Sequence, residues 1–312
     1  MRVPQALKQA VFRLHLGSRM QGGYKAVFWN RFYSPHSFFN PLEQFLKSIV
    51  AVLVLVAASI SFARAQGNYE IQVYGSDTVE PRHTMFELHS NYTAKGHPGS
   101  PEEGATHHAL HETVEVTQGI TNWSEVGFYL FTTIQSDVGA QWVGDHIRPR
   151  VRVPPEWKWP VGVSLSQEIG YQRALFDQDT WTWEIRPIVD KQKGRLYWSV
   201  NPAFERAFHG PGVSQGFDFA PGVKVGWDFT KVVSAGFEYY GDYGDFRNLH
   251  PLHDQQQMLF PSVDLNVSPD WEINFGVGIG ATAATDHLIY KVILGRRFNW
   301  GKPKMAPQPH QP

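Results

Sequence analysis

The stretch Ile147-Arg148-Pro149-Arg150-Val151-Arg152-Val153 decides how the rest of the chain is read. Its arginines recur at every second residue, and Ile, Pro and Val fill the alternate positions. Successive side chains of an extended strand point to opposite faces. The three guanidinium groups therefore share one face, and Ile147, Pro149, Val151 and Val153 share the other. Such a strand must place one face in a polar medium and the other in an apolar one.

The same period of two runs through the chain from about residue 82. In 287–298, Leu288, Tyr290, Val292, Leu294 and Phe298 oppose His287, Lys291, Gly295 and Arg297. In 272–283, Ile273, Phe275, Val277, Ile279 and Ala281 oppose Glu272, Asn274 and three glycines. In 217–227, Phe217, Phe219, Val223, Val225 and Trp227 oppose Asp218, Lys224 and Gly226. About twelve such segments are expected, near 82–92, 109–120, 124–135, 144–153, 161–172, 180–190, 195–206, 216–227, 232–242, 256–267, 272–283 and 287–298. About 10 residues suffice for a strand tilted across a bilayer.

Composition points the same way. Aromatic residues make up 14% of the 312 residues and charged residues only 18%, yet mean hydropathy is −0.33. Soluble domains carry about 25% charged residues. A net charge of −1 gives no reason to expect a nucleic-acid partner. The absence of cysteine excludes disulfides, thiolate metal sites and a lipoprotein anchor.

Upstream lies a different kind of segment. Residues 48–62, SIVAVLVLVAASISF, form an apolar run preceded by Lys47 and followed by Ala63-Arg64-Ala65. That run is short for a spanning helix, which needs about 20 apolar residues, and small-x-small is what signal peptidase reads. A signal peptide cut after Ala65 is expected, an inner-membrane anchor being the competing reading. Before Lys47 the chain is basic, with Glu43 the only acid. The expected organisation is a basic extension plus signal peptide over 1–65, a periplasmic segment over 66–81, a barrel over 82–298 and a disordered tail over 299–312.

No second long apolar run follows residue 65. Only helices and closed barrels satisfy their backbones in lipid. The expected fold is therefore all-β: a single closed antiparallel up-and-down transmembrane barrel of about twelve strands, in a bacterial outer membrane. Connections near 121–123, 154–160, 191–194, 228–231 and 268–271 are short. Those near 93–108, 136–143, 173–179, 207–215 and 243–255 are longer, and only 284–286 breaks the alternation. Short periplasmic turns and longer outer loops produce this pattern. Trp123, Trp157, Trp159, Trp227 and Trp271 sit at the short turns, as an interfacial aromatic girdle would. Tryptophans packed in a soluble, carbohydrate-binding sandwich are the alternative.

An arginine facing lipid would cost about 2–4 kcal/mol at the midplane, so Arg148, Arg150 and Arg152 are expected to face the lumen. The same parity places Glu87, Glu115, Glu168, Glu184, Arg186, Glu205, Lys224, Glu238, Asp264, Lys291 and Arg297 there. Buried charges persist when paired. They form either an ion-pair network that fills the lumen or a polar path in which the arginine row selects anionic or polar solutes.

Signs of other chemistry are weak. A barrel phospholipase would require a Ser–His pair, commonly His-x-Ser on a strand, and the chain has none. His107, His108 and His111 beside Glu112 read as a solvated loop rather than a metal site. Gly276-Val-Gly278-Ile-Gly280 lacks the helix a dinucleotide fingerprint needs. No catalytic residue, metal or cofactor is expected.

Ser268-Pro-Asp-Trp271, then Glu272-Ile-Asn-Phe-Gly-Val-Gly-Ile-Gly280, Asp286-His287 and a last strand ending Gly295-Arg-Arg-Phe298, together resemble uncharacterised bacterial outer-membrane barrels of the transporter-like "MetA-pathway of phenol degradation" type. Asp228-Phe-Thr-Lys231 before 232–240 fits the same style. The resemblance implies a barrel that takes up small organic, aromatic or hydrophobic compounds, and supplies no catalytic residues. One feature departs from barrel habit: residues 299–312 follow Phe298, where an aromatic commonly ends the chain. The expected function is a passive channel for small organic solutes, with outer-membrane lipid and the barrel-assembly machinery as partners. A structural or surface-interaction barrel closed by ion pairs is the alternative.

Overall fold

The computed structural model describes residues 65–100 and 104–301, all within the compact unit Ser61–Pro312. Twelve antiparallel strands close on themselves. They are β1 (His83–Lys95), β2 (Ala109–Thr121), β3 (Ser124–Gln135), β4 (Gly139–Arg152), β5 (Gly162–Gln172) and β6 (Trp181–Lys193) in the first half. The second half holds β7 (Leu196–His209), β8 (Asp218–Asp228), β9 (Val233–Asp242), β10 (Gln256–Leu265), β11 (Trp271–Gly280) and β12 (Leu288–Asn299). Every strand pairs with its sequence neighbours, and β1 closes the ring on β12, from His83↔Asn299 to Lys95↔Leu288.

Alternation sets which face is which. On β4, Ile147 and Val151 are each 42% exposed, whereas Arg148 and Arg150 are 2% and 7% exposed. The outer wall is mainly apolar, with Phe86, Val114, Phe128, Leu130, Phe237, Ile279, Tyr290 and Leu294 exposed on it, and Asp145, Gln167 and Arg206 among its polar positions. An 11-residue strand such as β5 is about 36 Å long and rises about 28 Å at a 40° tilt. That matches the apolar band of about 25 Å that such barrels present.

Two connections differ from expectation. The β3–β4 loop is only Ser136-Asp137-Val138, closed by Gly139 at φ 74°. β4 starts five residues earlier than its alternation suggests because a bulge inserts Val143, so that Val143 and Gly144 both point inward. Conversely, the β11–β12 connection spans 281–287 and is not short. The tail also starts later than expected: Asn299 still belongs to β12, and the Trp300 indole N–H donates to Thr84 Oγ1 at 2.7 Å. The basic extension, the apolar run and Ala63 lie outside the described residues, and Ala65 opens the 3-10 turn Ala65–Asn68.

The larger correction concerns 66–81, expected to lie outside the barrel. Residues 67–79 run down its interior instead. Asn68 is held at the loop end, where its side chain donates to Asp286 Oδ2 at 2.6 Å. Val79 lies at the turn end, its N–H bound to Glu125 Oε2 at 2.5 Å, and His83 then opens β1. A segment with no strand partner must satisfy its backbone elsewhere, and here the wall's side chains do so. Thr113 donates to Tyr69 O at 2.7 Å. Asn201 accepts from Tyr74 N at 2.7 Å, and Ser199 donates to Tyr74 O at 2.6 Å. Arg150 donates to Gly75 O and Asp77 O at 3.1 and 2.6 Å. Apolar contacts add to these polar ones. Tyr69 packs with Tyr129, Phe131, Val143 and Phe176. Ile71 packs with Met258, Phe260 and Ile289.

Candidate functional site: the barrel lumen

The lumen is lined by charge and divided by the inner segment. On one wall, Arg148 donates to Glu115 at 2.5 Å and lies 3.9 Å from Glu125. Arg150 Nε is 2.6 Å from the same Glu125 carboxylate. Arg152 reaches Asp77 at 2.9 Å. The arginine row is thus neutralised by carboxylates, and the carbonyls of residues 75 and 77 accept further N–H groups of Arg150.

Tyr74 stands at the centre. The guanidinium carbons of Arg148, Arg186 and Arg150 lie 4.5, 5.2 and 5.7 Å from its ring centroid. Its hydroxyl donates to Glu70 Oε1 at 2.5 Å, and Arg186 bridges Glu70 and Glu184 at 3.1 and 2.8 Å. Across the lumen, Lys224 contacts Glu238 and Asp264 at 3.2 and 2.8 Å, and Lys291 also pairs with Glu238. Glu168 holds His146 at 2.5 Å, an approach that Gly170 permits because a side chain there would strike the imidazole. Glu205 is buried, and Arg297, half-buried, donates to Pro269 O at 3.0 Å. Glu87 is buried directly opposite Glu115. All fourteen charged positions expected inside are therefore buried or half-buried, but they form several separate clusters rather than one path.

Parity reading missed other members. Glu125, His89 and His146 share the inward parity of their strands and are buried. Inward apolar residues (Phe131, Phe260, Ile289 and Ile293) were also missed, because they interrupt the alternation. The glycine run is explained by them: a side chain at Gly278 would strike the Phe260 ring, and one at Gly276 would crowd Lys291 and Phe260. The three histidines do not converge. His107 stacks on His108 in the first loop at 3.9 Å, whereas His111 points inward onto Tyr69.

Among the described residues the lumen holds three cavities, two of them lined in part by the inner segment. One of about 150 Å³ at the loop end is lined, among the described residues, by Glu70, Glu184, Glu205, Asp218 and Asp242 with Arg186. One of about 200 Å³ has five acidic residues against three arginines. One of about 320 Å³ at the turn end has Asp228, Asp264 and Glu272 against Lys224 and Arg297. Among the described lining residues, acid outnumbers base in each. A row of register partners, Glu168↔Glu184, Glu184↔Glu205 and Glu205↔Asp218, sets carboxylates side by side across four strands.

On the outside, Trp123, Trp157, Trp159, Trp227 and Trp271 are all exposed at the turn end. A second aromatic group lies at the loop end of β4, β5 and β6, where Tyr171 sits between Trp142 and Trp181 at 5.8 and 5.5 Å.

No family model matches the chain, and no curated protein matches it. Among solved structures it is similar to the COG4313 outer membrane channel from Pseudomonas putida F1, with a TM-score of 0.48 and 6% identity over 73% of this chain and 100% of that one. It is also similar to the KdgM porin, with a TM-score of 0.44 and 9% identity over 69% and 99% of the two chains. The outer membrane channel DcaP of Acinetobacter baumannii follows with a TM-score of 0.34 and 8% identity over 69% and 96%.

Proposed function

We propose that the protein is exported, spans a bacterial outer membrane, and acts there as a narrow channel for small organic solutes, constricted by its own N-terminal segment. A mainly apolar wall between two aromatic groups supports the membrane reading, since indole and phenol rings favour both interfaces. The short-turn end then faces the periplasm and the loops face outward. The turn-end cavity, at about 320 Å³, reaches the size of a small-ligand pocket.

The acidic excess in all three cavities carries the reading of selectivity. Carboxylate rings favour cations, and the arginines are occupied by their own partners. The channel therefore prefers cationic or neutral polar solutes over anionic ones. Reversal potentials in planar bilayers under a potassium chloride gradient test this. A sign showing potassium favoured over chloride, weakened by Glu184→Gln with Glu205→Gln, is expected. Chloride preference would overturn the selectivity. Electrical silence from folded barrels would favour the second reading, a closed structural barrel, which the occupied lumen also supports.

A further inference from the structure

We propose that the inner wall of β1 and β2 holds a divalent transition-metal ion, bound by Glu87, His89 and Glu115. Glu87 and Glu115 are direct cross-strand partners, and His89 follows Glu87 at the next inward position of β1. The three side chains are buried, at 8%, 0% and 0% exposure. One ligand atom from each lies within 4.8 Å of the other two. His89 Nε2 is 3.6 Å from Glu115 Oε2, close to the separation of about 3.4 Å between ligands of a tetrahedral zinc ion.

The bonding left unmade points to the same place. Among the described residues, neither ring nitrogen of His89 has a hydrogen-bond partner, nor does Glu87 Oε1 or Glu115 Oε2. Buried polar groups are ordinarily satisfied, and like charges placed directly opposite on a sheet repel. A cation among these atoms resolves both problems. Arg148 occupies Glu115 Oε1 and leaves Oε2 turned toward His89 Nε2, so it orients the carboxylate as a partner behind a ligand does. Its positive charge is offset nearby, since the adjoining cavity of about 200 Å³ also carries Glu125 and Glu272. That cavity gives room for water to complete the coordination. One imidazole with two carboxylates suits zinc and its neighbours in the transition series. It lacks the thiolates that copper(I) prefers and the larger oxygen set that calcium takes.

Equilibrium dialysis of the refolded, chelator-stripped barrel against zinc, with cobalt(II) absorption as a spectroscopic readout, tests the site. One equivalent per barrel is expected, with a cobalt spectrum characteristic of low coordination. His89→Ala and Glu87→Gln should each weaken binding at least about tenfold. Replacing His107 and His108 together by alanine should leave it unchanged. Glu87→Gln preserves lumen volume and decides the matter if His89→Ala does not fold. Substoichiometric binding, or a full equivalent that survives Glu87→Gln, would overturn the proposal; a shared proton between the carboxylates would then account for the cluster. Loss of the bound ion with the loop histidines would overturn it as well.

Discussion

Replacing Tyr74 by alanine should release the inner segment from the lumen. The ring is 5% exposed, and three guanidinium groups lie within 5.7 Å of its centroid. Truncating a buried aromatic costs about 3–5 kcal/mol. A loss of about 4 kcal/mol from the docked state lowers the ratio of docked to undocked segment about a thousandfold. Tyr74→Phe keeps the ring over the arginines and removes only the hydroxyl that donates to Glu70. That change costs about 1 kcal/mol, or about fivefold. Single-channel recording reads the effect as the fraction of time spent in a high-conductance state. The expected order is alanine far above phenylalanine, and phenylalanine slightly above the parent. A folded Tyr74→Ala barrel with the parent's conductance and dwell times would refute the reasoning, and so would a Tyr74→Phe variant as disruptive as alanine.

Glu115→Gln leaves Arg148 with one carboxylate, Glu125 at 3.9 Å, beside the Thr117 hydroxyl and the Tyr74 and Tyr129 rings. Breaking so buried a pair costs about 3–5 kcal/mol, which urea unfolding of the inserted barrel should detect; an unchanged midpoint would show that the pair is solvated. Leu130 is 47% exposed on the outer face of β3, so Leu130→Arg should cost about 2–4 kcal/mol in lipid. A stability equal to the parent's in bilayers would place that face elsewhere. Export with cleavage after Ala65 predicts that N-terminal sequencing of the membrane-bound protein begins at Gln66; a chain that retains residues 48–62 would contradict it.

Most strands are legible because two solvents impose two faces, and β4 shows how far that goes. From Gly144 onward its alternation is clean, but the inserted Val143 shifts the phase and hides the first five residues. Phe131 and Phe260 are hidden for a related reason. They are apolar and face inward, against segment residues that the alternation of their own strands does not reveal. The segment itself shows alternation at Tyr69, Ile71 and Val73. Because the lumen is polar, a strand-like peptide bound inside it has the same composition as one lying in periplasmic water. Only the partners distinguish the two, and Asn201, Ser199, Asp190 and Thr113 are contributed by distant strands. The pairing of Glu87 with Glu115 was equally hidden, since it depends on register between two strands rather than on either pattern alone.

A single disulfide can test directly whether residues 67–79 occupy the lumen. The chain has no cysteine, so introduced thiols have no background. A side-chain carbon placed at Gly222 would lie 3.5 Å from Val73 Cγ2, within reach of disulfide geometry. The Val73→Cys, Gly222→Cys double variant, oxidised after folding, should form one intramolecular bond and resist thiol labelling from either side of the membrane. Two free thiols, with Cys at position 73 reacting as fast as an exposed peptide, would show that the segment lies outside the barrel.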